Sequence, residues 1–178
     1  MTLTRFEELR HDAVMQTARL MLVAAKTAPK GRGLETLDYA VADGPDRDRI
    51  ADKMDEIGAR AGVPHILRDA ANVRKAEAVV LIGTKIAPLG LKLCGMCGFA
   101  NCAEKEKHPT VPCLYNTVNL GIAVGSACAA AADLRADNRI MYSIGLAAKE
   151  LGLLGPGIVA IYGIPLSATE KNIFFDRT

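Results

Sequence analysis

Four of the chain's five cysteines fall within twenty residues, in "CGMCGFANCAEKEKHPTVPC", Cys94 to Cys113. Their spacing is C-x2-C-x4-C-x10-C. A C-x-x-C turn can aim two thiolates at one metal centre, the same loop can bring round a third, and a more distant fourth closes the cage. Gly95 and Gly98 directly follow the first two cysteines, which frees the backbone to turn tightly and to point amide hydrogens at sulfur. Three states are compatible with this pattern. A [4Fe-4S] cluster suits a compact triad with a distant fourth ligand. Structural zinc is the alternative, although zinc modules more often pair two C-x-x-C elements across a longer span. Uncoordinated thiols or a disulfide pair are the third.

The charges around this window are mixed. Lys85, Lys92, Lys105, Lys107 and His108 stand against Glu104 and Glu106. Such cations would favour a reduced, more negative cluster or form a rim for an acidic electron-transfer partner; the plainer expectation for "EKEKH" is a solvated loop. Cys128 stands alone in an alanine-rich stretch and reads as a buried, inert thiol rather than a ligand. His11, His65 and His108 lie in polar or loop settings, which suit surface or hydrogen-bonding roles. No Ser/His/Asp or paired-carboxylate constellation that would demand hydrolytic catalysis can be picked out.

The rest of the chain must position these thiols. Its 178 residues suit one domain, 1–178, with the cysteine loop 94–113 inside it. Half of the residues are apolar, but only 4% are aromatic and Trp is absent, so small aliphatic side chains must fill the core and helices must pack closely. The formal charge of +2 supplies no general attraction to nucleic acid or to an anionic membrane. "MTLTRFEELRHDAVMQ" carries acids where a secretory signal would carry an apolar segment, so a cytoplasmic, reducing setting is expected. There, clustered cysteines more often bind metal or do redox chemistry than form disulfides. The run "VNLGIAVGSACAAAADL" falls short of the roughly 20 apolar residues of a membrane span and reads as a buried helix.

Three- and four-residue steps from Phe6 to Ala25 predict a helix over 4–28, stopped by Pro29, Gly31 and Gly33. "LETLDYAVA" predicts a strand over 34–42, followed by a turn at "DGPD". Ile50, Met54, Ile57 and Ala61 mark a second helix that stops at Gly62 and Pro64, and a short helix is expected over 68–74. "AEAVVLIGT", 76–84, reads as a strand buried on both sides. Asn116 or Thr117 would cap a helix reaching Leu134, with Gly121 and Gly125 on one face for a tight helix contact. A helix over 140–154 and a strand over 158–166 complete an α/β (α+β) fold of long helices flanking a modest sheet. The terminal Phe174 and Phe175 are expected to dock on the core or on a second subunit.

"CGMCGFANC", a cysteine after "TVP", and the closing "GIPLSATEKNIFFDR" resemble a family of small, uncharacterised ferredoxin-domain-containing proteins found mostly in anaerobic bacteria and archaea. The resemblance covers nearly the whole chain and implies that the cluster ligands are Cys94, Cys97, Cys102 and Cys113. "AAKTAPKGRG", the strands and the small-residue helix are further similar to the nitroreductase-like flavoprotein fold. That resemblance implies an intertwined homodimer with FMN at the subunit interface and the segment Ala28 to Gly31 lining the flavin. The arginine-rich stretch that normally grips the FMN phosphate is not evident, since Arg5, Arg10 and Arg19 are dispersed. Lys26, Lys30 and Arg32, with Gly31 between the last two, are the candidate flavin contacts. The expected function is therefore electron transfer through a [4Fe-4S] cluster, to or from a flavin, in an oxidoreductase of nitroreductase-like type. The alternatives are a zinc-stabilised binding or assembly protein and a flavin-free electron carrier or redox sensor.

Overall fold

Strand β2, Ala78–Lys85, is buried along all but its last residue and divides the interior in two. Side chains of a strand alternate between faces. Ala78, Val80 and Ile82 therefore enter one apolar cluster, while Val79 and Leu81 enter the other. This is why the strand reads as an unbroken apolar run. It pairs antiparallel with β1, Leu37–Asp43, on one side and with β4, Ile158–Ser167, on the other; a short β3, Asp137–Asn138, extends the sheet beyond β4. The order is β1-β2-β4-β3, antiparallel throughout, so the class is α+β rather than a parallel α/β sheet. The computed structural model describes residues 3–175.

The first cluster is covered by α1, Phe6–Thr27, and α5, Leu114–Asp133. Ala18 and Ala25 of α1 face Ala123, Ala127 and Ala131 of α5 within this cluster, and these side chains let two long helices lie close together. The tight packing expected of the small residues is present, but alanines make it. Gly121 and Gly125 face open space, with no atom within 4 Å of a methyl group built on either. Both glycines lie on the exposed side of α5, away from the alanines that meet α1.

The second cluster lies under α2, Gly44–Ala61, α3, Pro64–Lys75, and α6, Tyr142–Glu150. "DGPD" is not a free turn. It opens α2, with Pro45 in the first turn, where its missing N–H costs nothing. Pro64 likewise begins α3 instead of only ending α2, which is terminated by Gly62 at φ 67°. The helix expected over 68–74 is thus a full turn longer at its start. Phe174 is buried in this cluster, and Arg139 donates to its carbonyl at 2.9 Å, whereas Phe175 is exposed beneath the Arg139 guanidinium. Docking of the tail is therefore within the chain for Phe174. Asp176 to Thr178 lie outside the described residues.

α6 approaches β4 unusually closely. A methyl group on Gly145 would lie 1.8 Å from the Ile161 carbonyl oxygen, and one on Gly163 would lie 2.1 Å from Ile144 Cγ2. Among the described residues no helix is long and apolar enough to cross a membrane.

Candidate functional site

The cysteine loop leaves β2 at Lys85 and returns at α5, and both ends are pinned by one residue. Asn116, buried in the first turn of α5, accepts the Ala87 N–H at 2.8 Å and donates to the Ala87 carbonyl at 3.0 Å. Asn116 is consequently not the helix cap; Cys113 occupies that position. A buried asparagine this close to a helix start is set to satisfy the backbone of an adjacent irregular segment.

Between these anchors Cys94 and Cys97 are half-buried in a turn region, followed by Gly98 at φ 88°. Gly95 lies against the chain on the way back, since a side chain there would meet the Phe99 carbonyl at 3.1 Å. Cys102 opens a short helix, α4, Cys102–Glu106, in which the Asn101 side chain accepts the Glu104 N–H. Residues "EKEKH", expected as a loop, thus belong largely to a helix. Lys105 is the buried residue of this run, Glu104 pairs with Lys107 at 2.7 Å, and His108 stacks on Phe99 at 4.8 Å.

All four cysteines are free thiols, and two of them, Cys102 and Cys113, are buried at the starts of consecutive helices. Thiol chemistry, burial and a glycine-relaxed loop suit a soft metal or an iron-sulfur cluster. Among the described residues, however, no three His, Cys, Asp or Glu side chains converge as a metal-binding group. The four cysteines share one loop without forming a closed cage. A cavity of about 360 Å³, lined by Lys92, Asn101, Cys102 and Glu106 among others, opens beside Cys102. Cys128 is partly buried in α5, and desolvation pushes its thiol up to about 11, in keeping with an inert role.

Of the candidate flavin residues, Lys26 stands in the last turn of α1, and Lys30, Gly31 and Arg32 lie in the connection from α1 to β1, where Gly31 and Arg32 abut the wall of the cysteine loop. Gly31 donates its N–H to Asn119 Oδ1 at 3.1 Å. A methyl group on Gly31 would lie 2.5 Å from Leu89 Cδ1 and 3.2 Å from the Tyr115 ring, so this glycine is required by close approach. Arg32, at φ 57°, donates to the Leu89 carbonyl at 2.7 Å. The two sites predicted separately are therefore neighbours, with Leu89 between them. Asn116 and Asn119, three residues apart in a helix made mostly of small apolar residues, are the sequence signal that marks this wall.

The cations beside the adjacent cleft are already engaged. The Lys30 ammonium donates to the carbonyls of Ala25, Lys26 and Ala28 at 3.1, 2.8 and 2.9 Å, closing the C-terminal end of α1. Lys26 pairs with Glu35 at 2.8 Å and lies over the Tyr39 ring. Partial burial is the largest influence on Glu35 and pushes its carboxyl upward, but the Lys26 bond, the Leu37 amide and the Lys30 charge together bring it below the usual range. Burial, then the charge of Glu35, raises the Tyr39 hydroxyl far above its ordinary value. The cleft that Lys26, Lys30 and Glu35 line with Thr27, Ala28, Pro29 and Gly33 measures about 540 Å³.

Residues 110–177 match the family described as "uncharacterized protein containing a ferredoxin domain" (DUF2148). An uncharacterized protein of Archaeoglobus fulgidus is 39% identical over 179 residues, spanning 96% of this chain and 95% of its own. The chain belongs to this ferredoxin-domain family. Its fold is nitroreductase-like. Nitroreductase CinD from Lactococcus lactis, solved with nicotinic acid, superposes with a TM-score of 0.61 at 15% identity, covering 96% of this chain and 82% of that one. A BluB-like flavoprotein from Clostridium difficile 630 gives 0.56 at 19% identity, covering 92% and 84%.

Proposed function

We propose that this family member is a single-domain, cytoplasmic iron-sulfur redox protein in which Cys94, Cys97, Cys102 and Cys113 ligate a [4Fe-4S] cluster. The observation that carries this reading is the pair of buried, unpaired thiols at the starts of α4 and α5, with the half-buried Cys94 and Cys97 on the same anchored loop. When bound, such a cluster takes up and releases single electrons. The chain's own contribution is to hold the thiols, exclude water from two of them and fix both ends of the loop through Asn116. The half-buried pair leaves one side of the site facing solvent, where a partner protein can approach.

Anaerobic purification with iron, sulfide and zinc analysis tests the reading. A brown protein with about four irons per chain and broad visible absorption is the expected result. A colourless protein with one zinc per chain would instead favour a binding or assembly role.

A second reading, FMN held by Lys26, Lys30, Gly31 and Arg32, is favoured by the volume of the cleft that Lys26 and Lys30 line and by the hydrogen bond from the nearby Arg32 to Leu89 at the start of the cysteine loop. The polar groups fit a flavin phosphate poorly as arranged, because Lys30 is saturated by carbonyls and Lys26 is held by Glu35. Arg32, exposed and with one bond to Leu89, is the cation best placed to respond. Quenching of FMN fluorescence on titration with the protein, lost in R32A, is the expected signature; no quenching after reconstitution would leave a flavin-free electron carrier. A homodimer, the remaining part of the proposal, is supported by the outward glycine face of α5 and is read by light scattering.

A further inference from the structure

Lys105 is among the largest fully buried side chains, at 1% exposure. Its ammonium, with three N–H donors, makes a hydrogen bond to the His108 carbonyl at 3.0 Å. None of the ion pairs among the described residues includes it: Glu104 is held by Lys107 and lies 3.9 Å from His108, and Glu106 is exposed. A cation removed from water without an anion is strongly disfavoured, so the fold around Lys105 calls for negative charge. The two buried residues of α4 are Cys102 and Lys105, three positions apart and therefore on one face of the helix. Cys113, the other buried thiol, follows five residues after the carbonyl that Lys105 holds.

We infer that Lys105 is the buried countercharge of the cysteine site. Its ammonium offsets the thiolates at Cys102 and Cys113, and its bond to His108 ties α4 to the segment that delivers Cys113. The inference rests on the cluster reading above. One-electron reduction adds a negative charge to an already anionic four-thiolate group; no bond forms or breaks, no proton is transferred, and an external one-electron donor is oxidised. A fixed positive charge beside the site favours the reduced state. Lys105 is thus a positioning residue that sets the potential, not a ligand.

The test compares full-length wild type, K105M and K105R after anaerobic reconstitution, reading iron and sulfide per chain, the electronic spectrum, and the midpoint potential in a dye-mediated dithionite titration. K105M keeps the length and apolar stem of the side chain and removes its charge. The expected result is a tenfold or greater loss in the equilibrium constant for reduction, a negative shift of about 59 mV per tenfold for one electron, with K105R close to wild type. A K105M protein with full cluster content and an unchanged potential overturns the inference and leaves the cluster reading intact. If K105M does not retain the cluster, retention in K105R supports the countercharge role, whereas equal loss in both assigns Lys105 to packing and overturns it. Wild type that takes up no iron overturns the cluster reading itself, and this inference with it.

Discussion

The side chain of Asn116 and the backbone of Ala87 exchange two hydrogen bonds, at 2.8 and 3.0 Å, across 29 residues of sequence. That exchange closes the cysteine loop at its base: it joins the segment leaving β2 to the first turn of α5, three residues after the last of the four cysteines.

Replacing Asn116 by Leu leaves both Ala87 groups without their partner. A loss of about 2 kcal/mol is expected, from the cost of unsatisfied, partly buried backbone groups. The urea midpoint should fall with an unchanged slope, and amide exchange at Ala87 should accelerate. An unchanged midpoint would show that other contacts hold the loop.

Cys97→Ser should abolish stable cluster content, because it removes one of four ligands from an assembly that needs all of them. Cys128→Ala should leave iron content near wild type. Equal loss in the two variants would refute the ligand assignment.

Cys128 also has a predicted pH signature. Burial raises its thiol to about 11 in the folded protein, above the ordinary value near 8.5. Between those values the folded state holds a proton that the unfolded state has released, so this residue's contribution to stability is fully present below the lower value and is lost as pH rises through the upper one. Urea unfolding across that alkaline window should show a shallower decline in C128A than in wild type. Iodoacetamide labelling of Cys128 in the native protein at neutral pH should be slow.

Two glycines of similar helical setting should respond in opposite ways. Gly145→Ala forces a methyl group onto the Ile161 carbonyl, 1.8 Å away, and should cost about 3 kcal/mol or more as α6 is pushed from the sheet. Gly121→Ala meets nothing within 4 Å and should stabilise the isolated chain by about 0.5–1 kcal/mol through helix propensity. Denaturation gives the first comparison. Light scattering gives a second, because weakened self-association in G121A would place this face in a dimer.

Much of the architecture is legible from local pattern. The three- and four-residue apolar steps of α1, the unbroken run of β2 and the punctuation at Gly62 each depend on neighbours in sequence, and each element forms near its expected place. Pro45 and Pro64 are ambiguous in sequence, because proline can end one helix or begin the next, and the choice rests on what the following turn can bury.

By itself, then, the sequence determined the long helices and the three long strands, the small-residue character of the helix packing, and a thiol-rich loop between β2 and α5, but not the short α4 and β3. Only the tertiary structure decided which residues meet. Alanines rather than glycines join α1 to α5, Lys30 closes a helix end instead of standing free, Asn116 and Asn119 fasten two distant connections, and Lys105 is buried on the same short helix as Cys102. The reason is physical: whether a side chain is buried, paired or exposed depends on the surfaces that distant segments bring to it. A lysine in "EKEKH" therefore reads as solvated until the fold encloses it.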